Sequence, residues 1–341
     1  MNKDSVFLSL SEDFIGTFLP VGKGASPNTV KSYKYAFRLL IEYMFSQKNI
    51  TADKIKFSDL DYTTLLSFFE WITDTRNCST ATRNQRLAAL LSFSEYAQNR
   101  NYDAAAIFRS SIIRIPLKKT LQGTRTWFDT LEIRIILALP DENTKTGLRD
   151  KVLLCTLYAT GARAQEICDL TVSSVKASSK GTTIEIVGKG NKCRRVKISD
   201  HAATILQTYI SKRHIEHLPE RHIFSSQTHE KMTISCVEEI VRKYVSKAKI
   251  LYPDRFLQEG YSPHSFRHTT ATHMIEAGVP LMVIKNFLGH SSIQTTQIYA
   301  ELTQNTVDKH VREWNEKWFP CNIAPVTPKT VVDNIPDFLK S

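Results

Sequence analysis

Two short stretches, TIEIV at 183–187 and RVKI at 195–198, alternate apolar and polar side chains around a GKGNK run at 188–192. A period of two is the signature of a half-buried strand, and two glycines between such strands let the chain reverse tightly. Every other patterned stretch repeats at helical spacing. The chain is therefore expected to be mainly α, with a small β-sheet or hairpin in its second half.

The first hundred residues read as a small helical bundle. Ser26 and Pro27 mark a helix start, followed by Val30, Tyr33, Phe37, Leu40, Ile41 and Met44 at helical spacing. Leu65, Phe68, Phe69 and Ile72 define a second helix. Ser79 or Thr80 caps a third that carries Leu87, Leu90, Leu91 and Phe93. Lys31, Lys34, Arg83 and Arg86 read as lying off these stripes, where a solvated face and a phosphate-contacting face predict them equally. Residues 106–126 break the helical pattern. Pro116, Gly123 and the cluster Arg114, Lys118, Lys119 and Arg125 read as a basic linker, lying along a nucleic-acid backbone or merely solvated. Helices follow at 129–138 and 147–159, and resume after the hairpin at about 201 and at 233–248. With 341 residues, two domains are expected: 1–108 helical, 109–126 linker, 127–320 a second domain, and 321–341 a tail.

Lys and Arg number 45 against 34 Asp and Glu, a net charge of +11, and most of that surplus falls within 111–200. Such a balance points to a polyanionic partner, nucleic acid before an anionic membrane. The N-terminal stretch has no signal-peptide pattern and no apolar run reaches membrane-spanning length, so a cytoplasmic protein is expected. The six cysteines are scattered without a CxxC pair, as for reduced structural thiols.

Four segments carry chemistry. In TGARAQE at 160–166, Gly161 can end a helix and Arg163 open the next, offering a phosphate a planar fork of donors; alone, it reads as a surface arginine, as most arginines near helix ends are. At the hairpin tip, Lys189 projects among Lys192, Arg194, Arg195 and Lys197, which suits a β-ribbon beside DNA or a solubilising hairpin. It is not a Walker A loop. In SPHSFRH at 262–268 the Ser-Pro pair starts a helix, so His264 and Arg267 lie one turn apart on one face. His264 and His268 have zinc-like spacing, yet HExxH and further ligands are missing, and His268 and His273 read as structural. In LGH at 288–290, His290 falls at a helix-to-helix turn, and Tyr299 on the next short helix or just after it reads alone as core packing.

Taken together, these motifs in this order and at these gaps resemble the tyrosine recombinase (phage integrase) family over about 126–320. The preceding helices and basic linker are similar to that family's SAM-like core-binding domain and connector. The resemblance implies a two-domain C-shaped clamp, with a helical core-binding domain and an α+β catalytic domain. It implies that Arg163 and Arg267 are the catalytic arginines, Lys189 the hairpin lysine, His264 and His290 the two histidines, Tyr299 the nucleophile, and Glu166 a supporting acid. In that chemistry a phenol attacks a DNA phosphodiester while two guanidiniums hold the non-bridging oxygens. His264 would take the phenol proton, Lys189 protonate the leaving oxygen, and His290 donate a hydrogen bond to the phosphate. The phosphotyrosyl link retains the diester's energy, so no metal, ATP or other cofactor is implied.

The implied partners are double-stranded recombination sites, a homo-tetramer exchanging C-terminal tails, and accessory recombination proteins, with no membrane, on a bacterial nucleoid. DNA contacts are expected at Lys31, Lys34, Arg83, Arg86, Lys118, Lys119, Arg125, Lys192, Arg194 and Arg195. Val307, Val311, Trp314 and Trp318 form one stripe, and IPDFL at 335–339 ends the chain as an apolar patch for docking on a neighbour or in cis. Integration or excision of a mobile element is the leading expectation. A non-catalytic helix–turn–helix-like regulator and a type IB topoisomerase are the competing ones.

Overall fold

A computed structural model describes residues 5–120, 126–188, 190–226 and 228–290. The chain divides into two compact units, Met1–Gly123 and Thr124–Ser341. Arg125, Lys189, Tyr299, the 307–318 stripe and the 335–339 patch lie outside the described residues.

The first unit is helical because short polar side chains cap each apolar stripe. Its helices are α1 (Val6–Asp13), which runs into a π-helical stretch (Phe14–Gly22), α2 (Pro27–Lys48), α3 (Tyr62–Asp74), α4 (Thr80–Arg100) and α5 (Tyr102–Ile113). Ser26 accepts the Thr29 N–H, Asp61 that of Thr64, Ser79 that of Thr82, and Asn101 that of Ala104. The helices close over an aromatic core. Phe93 sits at its centre, with ring centroids 5.7 Å from Phe7 and 4.9 Å from Phe37, both edge-on.

Expectations for this unit need correction at two points. Helix continues through the first residues assigned to the linker, because Ala105, Phe108 and Ile112 share one buried face, and the chain breaks only towards Pro116. Arg83 is not a surface cation. It stands at helical spacing from Leu87 and Leu90 and is 1% exposed. Its guanidinium lies over Phe69, 4.8 Å from the ring centroid, and donates to the Pro116 carbonyl at 2.7 Å. Asn84 exchanges hydrogen bonds with Lys118, so 116–118 is strapped to the start of α4. Arg86 is half-buried. It lies over Tyr35 and donates to Ser32 on α2. Lys31, Lys34, Lys118 and Lys119 are exposed.

The second unit holds α6 (Thr130–Ala138), α7 (Lys145–Thr160), α8 (Ala164–Cys168), β1 (Val175–Ser178), β2 (Gly181–Val187), β3 (Cys193–Lys197), α9 (Asp200–Lys212), α10 (Ile234–Leu251), α11 (Pro263–Glu276) and α12 (Leu281–Leu288). The strands form one antiparallel sheet in the order β1-β2-β3, with Ile184 opposite Val175 on one side and Val196 on the other. Ile184, Ile186 and Val196 point into a core shared with Leu153, Leu154 and Leu157 of α7 and Phe266 of α11. The sheet therefore rests on the helices that carry the arginine and histidine motifs. The fold is mostly helical with a small antiparallel sheet, as the sequence predicts. Among the described residues no helix is long and apolar enough to cross a membrane.

Candidate active site

Helix α7 stops at Gly161, whose φ of 57° is left-handed. A Cβ there would be strained by that φ and would stand 2.6 Å from Leu288 Cδ2, so glycine lets the last turn of α12 rest on the α7–α8 turn without displacing it. Arg163 follows as the N-cap of α8. Its backbone N–H donates to Glu166 Oε2 at 2.9 Å and its Nη1 to Oε1 at 2.7 Å. Arg194 Nη2 donates to Oε2 at 2.8 Å. The Glu166 side chain is only 5% exposed. Burial alone would raise its carboxyl, but the charge and hydrogen bonds of Arg194 and Arg163 prevail and hold it below the usual range. Glu166 is therefore an ionised strut, while the Arg163 side chain stays 37% exposed.

Helix α11 begins where Ser262 donates its N–H to Ser265 Oγ, with Pro263 in its first turn. This start places His264 and Arg267 one turn apart. Arg267 is 3% exposed. It donates from Nη1 to the Gly161 carbonyl and from Nη2 to the Leu288 carbonyl, both at 2.7 Å. One guanidinium thus joins the α7–α8 turn to the end of α12. Helix α12 closes at Gly289, φ 69°, and the His290 N–H returns to the Lys285 carbonyl at 3.0 Å. The reversal buries His290 among cations.

Burial first, and then Arg267, Arg163, Arg194 and His268, push the His290 imidazole down to about 4. His264 lies on the exposed side of α11, with its ring centroid 6.4 Å from that of His268. Partial desolvation and the neighbouring Arg267 and Arg163 lower it, with Glu238 opposing. Both imidazoles are neutral near pH 7 beside permanently charged guanidiniums. Such a site can bind a phosphodiester anion, and its histidines can accept a proton or donate one N–H.

The structure brings Arg163, Glu166, His264, Arg267 and His290 into one cluster. Arg194 joins them, which corrects its expected place on a DNA-facing surface. On β3 it shares the inward face of Val196, and strand alternation carries that signal in the sequence. Lys192 and Arg195 are exposed, and Arg195 pairs with Glu185 across the sheet at 2.8 Å.

The model of the phage integrase family matches residues 126–306, and that of the phage integrase SAM-like domain matches 12–111. The chain belongs to the phage integrase family. Every clustered residue, and Tyr299 with them, falls inside the first span. Among its relatives, the tyrosine recombinase XerD of Vibrio cholerae is 29% identical over 299 residues, covering 86% of this chain and 91% of the relative. XerD of Listeria monocytogenes is 27% identical, covering 86% and 94%. The fold resembles that of the XerH site-specific recombinase bound to difH substrate in a pre-cleavage complex. The TM-score is 0.66 at 22% identity, over 86% of this chain and 81% of that one. It also resembles the Tn1549 transposon integrase in complex with transposon right-end DNA, with a TM-score of 0.68 at 16% identity, over 91% and 98%.

Proposed function

We propose that this protein is a site-specific DNA recombinase that cuts and rejoins strands through a 3′-phosphotyrosyl intermediate and a Holliday junction. The observation that carries the reading is the convergence of Arg163, Arg267, His264 and His290 on one cationic site braced by Glu166. The Tyr299 phenol oxygen forms a bond to phosphorus as the P–O5′ bond breaks. Its proton passes to neutral His264, and the leaving 5′-oxygen takes a proton from Lys189. Arg163 and Arg267 stabilise the charge that builds on the non-bridging oxygens, and His290 donates its N–H to one of them. Religation is the reverse, with the 5′-hydroxyl of a partner strand as attacking group. Positioning and fixed charge do this work, so the reading invokes neither metal nor nucleotide.

The working form in this reading is a homo-tetramer on paired double-stranded sites, assembled by exchange of the 321–341 tail and helped by accessory recombination proteins. Its role is integration or excision of a mobile element on the nucleoid. The relatives' names and the DNA complexes among the structural neighbours support DNA recombination sites as the substrate.

The test is covalent capture. DNA that stays attached to the protein after denaturation is sequenced and rebuilt as a duplex nicked beside the cut. Wild type should accumulate a detergent-stable adduct on it, and Tyr299→Phe should bind the duplex but form none. An adduct retained by Tyr299→Phe refutes the assignment, and a regulator would be indifferent to the substitution.

A further inference from the structure

We infer that Arg194 is a positioning residue for strand cleavage, locking strand β3, the Arg163 fork and the end of α12 into one rigid unit. The inference rests on the recombinase reading above and adds a residue that touches none of the reacting atoms.

Its side chain is only 10% exposed, and its Nη2 donates to Glu166 Oε2 at 2.8 Å. Glu166 Oε1 and Oε2 meanwhile hold Nη1 and the backbone N–H of Arg163. One carboxylate is thus shared between an arginine from the sheet and an arginine from the α7–α8 turn. The surrounding backbone is shaped to admit the guanidinium. A Cβ at Gly289 would lie 3.1 Å from Arg194 Cδ, and one at Gly188 would lie 3.3 Å from Glu166 Oε1. Arg194 Nε is buried without a hydrogen-bond partner among the described residues. The Arg194 side chain is almost wholly withdrawn from solvent, at some cost, and its donor is spent on a carboxylate.

The consequence is mechanical and electrostatic. Without Arg194, Oε2 keeps only the Arg163 N–H, and the buried carboxylate is free to drag the Arg163 fork out of line. The end of α12 loses the aliphatic arm packed against Gly289, one residue before His290. His290 also loses one of the groups that keep it neutral, alongside Arg267, Arg163 and His268.

The experiment compares Arg194→Lys, Arg194→Gln, Glu166→Gln and the double variant on the nicked duplex. It measures adduct formation at saturating DNA across pH, and affinity for intact duplex across salt. Arg194→Gln should slow adduct formation roughly 10²-fold, the loss that a misplacement of about 1 Å produces. Its affinity and salt dependence should match wild type, and the acid-side midpoint of its rate profile, which follows protonation of His264, should stay where it is. Arg194→Lys should recover part of the rate. In the Glu166→Gln background, Arg194→Gln should cost far less than it does alone, since coupled residues are non-additive.

A wild-type saturated rate with a salt slope reduced by about one would make Arg194 a phosphate contact and overturn the inference. Fully additive losses would overturn it too. Should circular dichroism find Arg194→Gln unfolded, Arg194→Lys decides: slowed cleavage at wild-type affinity supports the role, and a wild-type rate ends it. If wild type itself forms no tyrosine-linked adduct, the recombinase reading falls and this assignment with it. A normal adduct that Arg194→Gln leaves unslowed sinks the assignment alone.

Discussion

His290 loses hydration and gains cationic neighbours when the chain folds, and both changes disfavour its protonated form. Its folded pKa of about 4 lies below the 6.5 of an exposed imidazole. As pH falls, the unfolded chain binds this proton first. The stability contributed by neutral His290 is therefore full above about 6.5, is lost between about 6.5 and about 4, and changes no further below that. His264 shifts in the same direction and adds to the same slope. Denaturant unfolding of wild type and His290→Gln, measured from about pH 7 down to about pH 4, should give a smaller acid loss for the variant. Parallel curves would mean that His290 is not held neutral by its surroundings. The same neutrality matters for chemistry, because a protonated His264 has no lone pair to receive the phenol proton.

Between elements, α11 is held at its entrance by a residue far away in sequence. Glu132 of α6 is 7% exposed. Its Oε2 accepts the Asp129 N–H at 3.0 Å, while its Oε1 accepts the Phe256 N–H at 2.8 Å and the Tyr261 hydroxyl at 3.3 Å. Phe256 is buried with a φ of 56°, a left-handed conformation that a phenylalanine keeps only when its surroundings enforce it. Phe128 completes the brace. It stacks on Tyr261 at 4.7 Å and donates its N–H to Thr269 Oγ1 of α11 at 2.8 Å. Replacing Glu132 with Ala leaves buried donors unmet and should cost about 1–3 kcal/mol in equilibrium unfolding. An unchanged unfolding midpoint would contradict that account.

None of this brace is legible in the sequence, because its partners lie 124 and 129 residues apart and no local period links them. What is legible is local. The two-residue alternation gives β2 and β3, the Ser-Pro pair gives the start of α11, and Gly289 gives the end of α12. Strand β1 escapes because VKAS is polar and mostly exposed, with no alternation to read. Arg83 and Arg194 escape for another reason. Their positions on a buried helical stripe and an inward strand face are readable, but a cation is expected to face water unless its partner is known.

Over the whole molecule, a net charge of +11 overstates what nucleic acid can meet. Arg83 is buried and Arg194 nearly so, and they hold an aromatic ring, a carbonyl and a carboxylate. The cations left to displace counterions from a duplex are those on the surface, among them Lys31, Lys34, Lys118, Lys119, Lys192 and Arg195. Arg195 is 76% exposed even while paired with Glu185, so that pair is weak and the guanidinium can change partner. Counterion release makes the logarithm of affinity fall with the logarithm of salt by about 0.9 per neutralised phosphate. Alanine at Lys118, Lys192 or Arg195 should therefore weaken binding to any duplex and flatten that slope by about one for each phosphate left without its cation. Arg83→Ala should leave the slope unchanged and lower the thermal stability of the first unit, because it removes the clasp on Pro116 and the cation over Phe69. Titrations of the captured duplex over a range of salt, paired with thermal melts, separate the two classes. A flattened slope for Arg83→Ala with an unchanged melt would return that arginine to the DNA-facing surface and undo the division of this charge into binding and bracing parts.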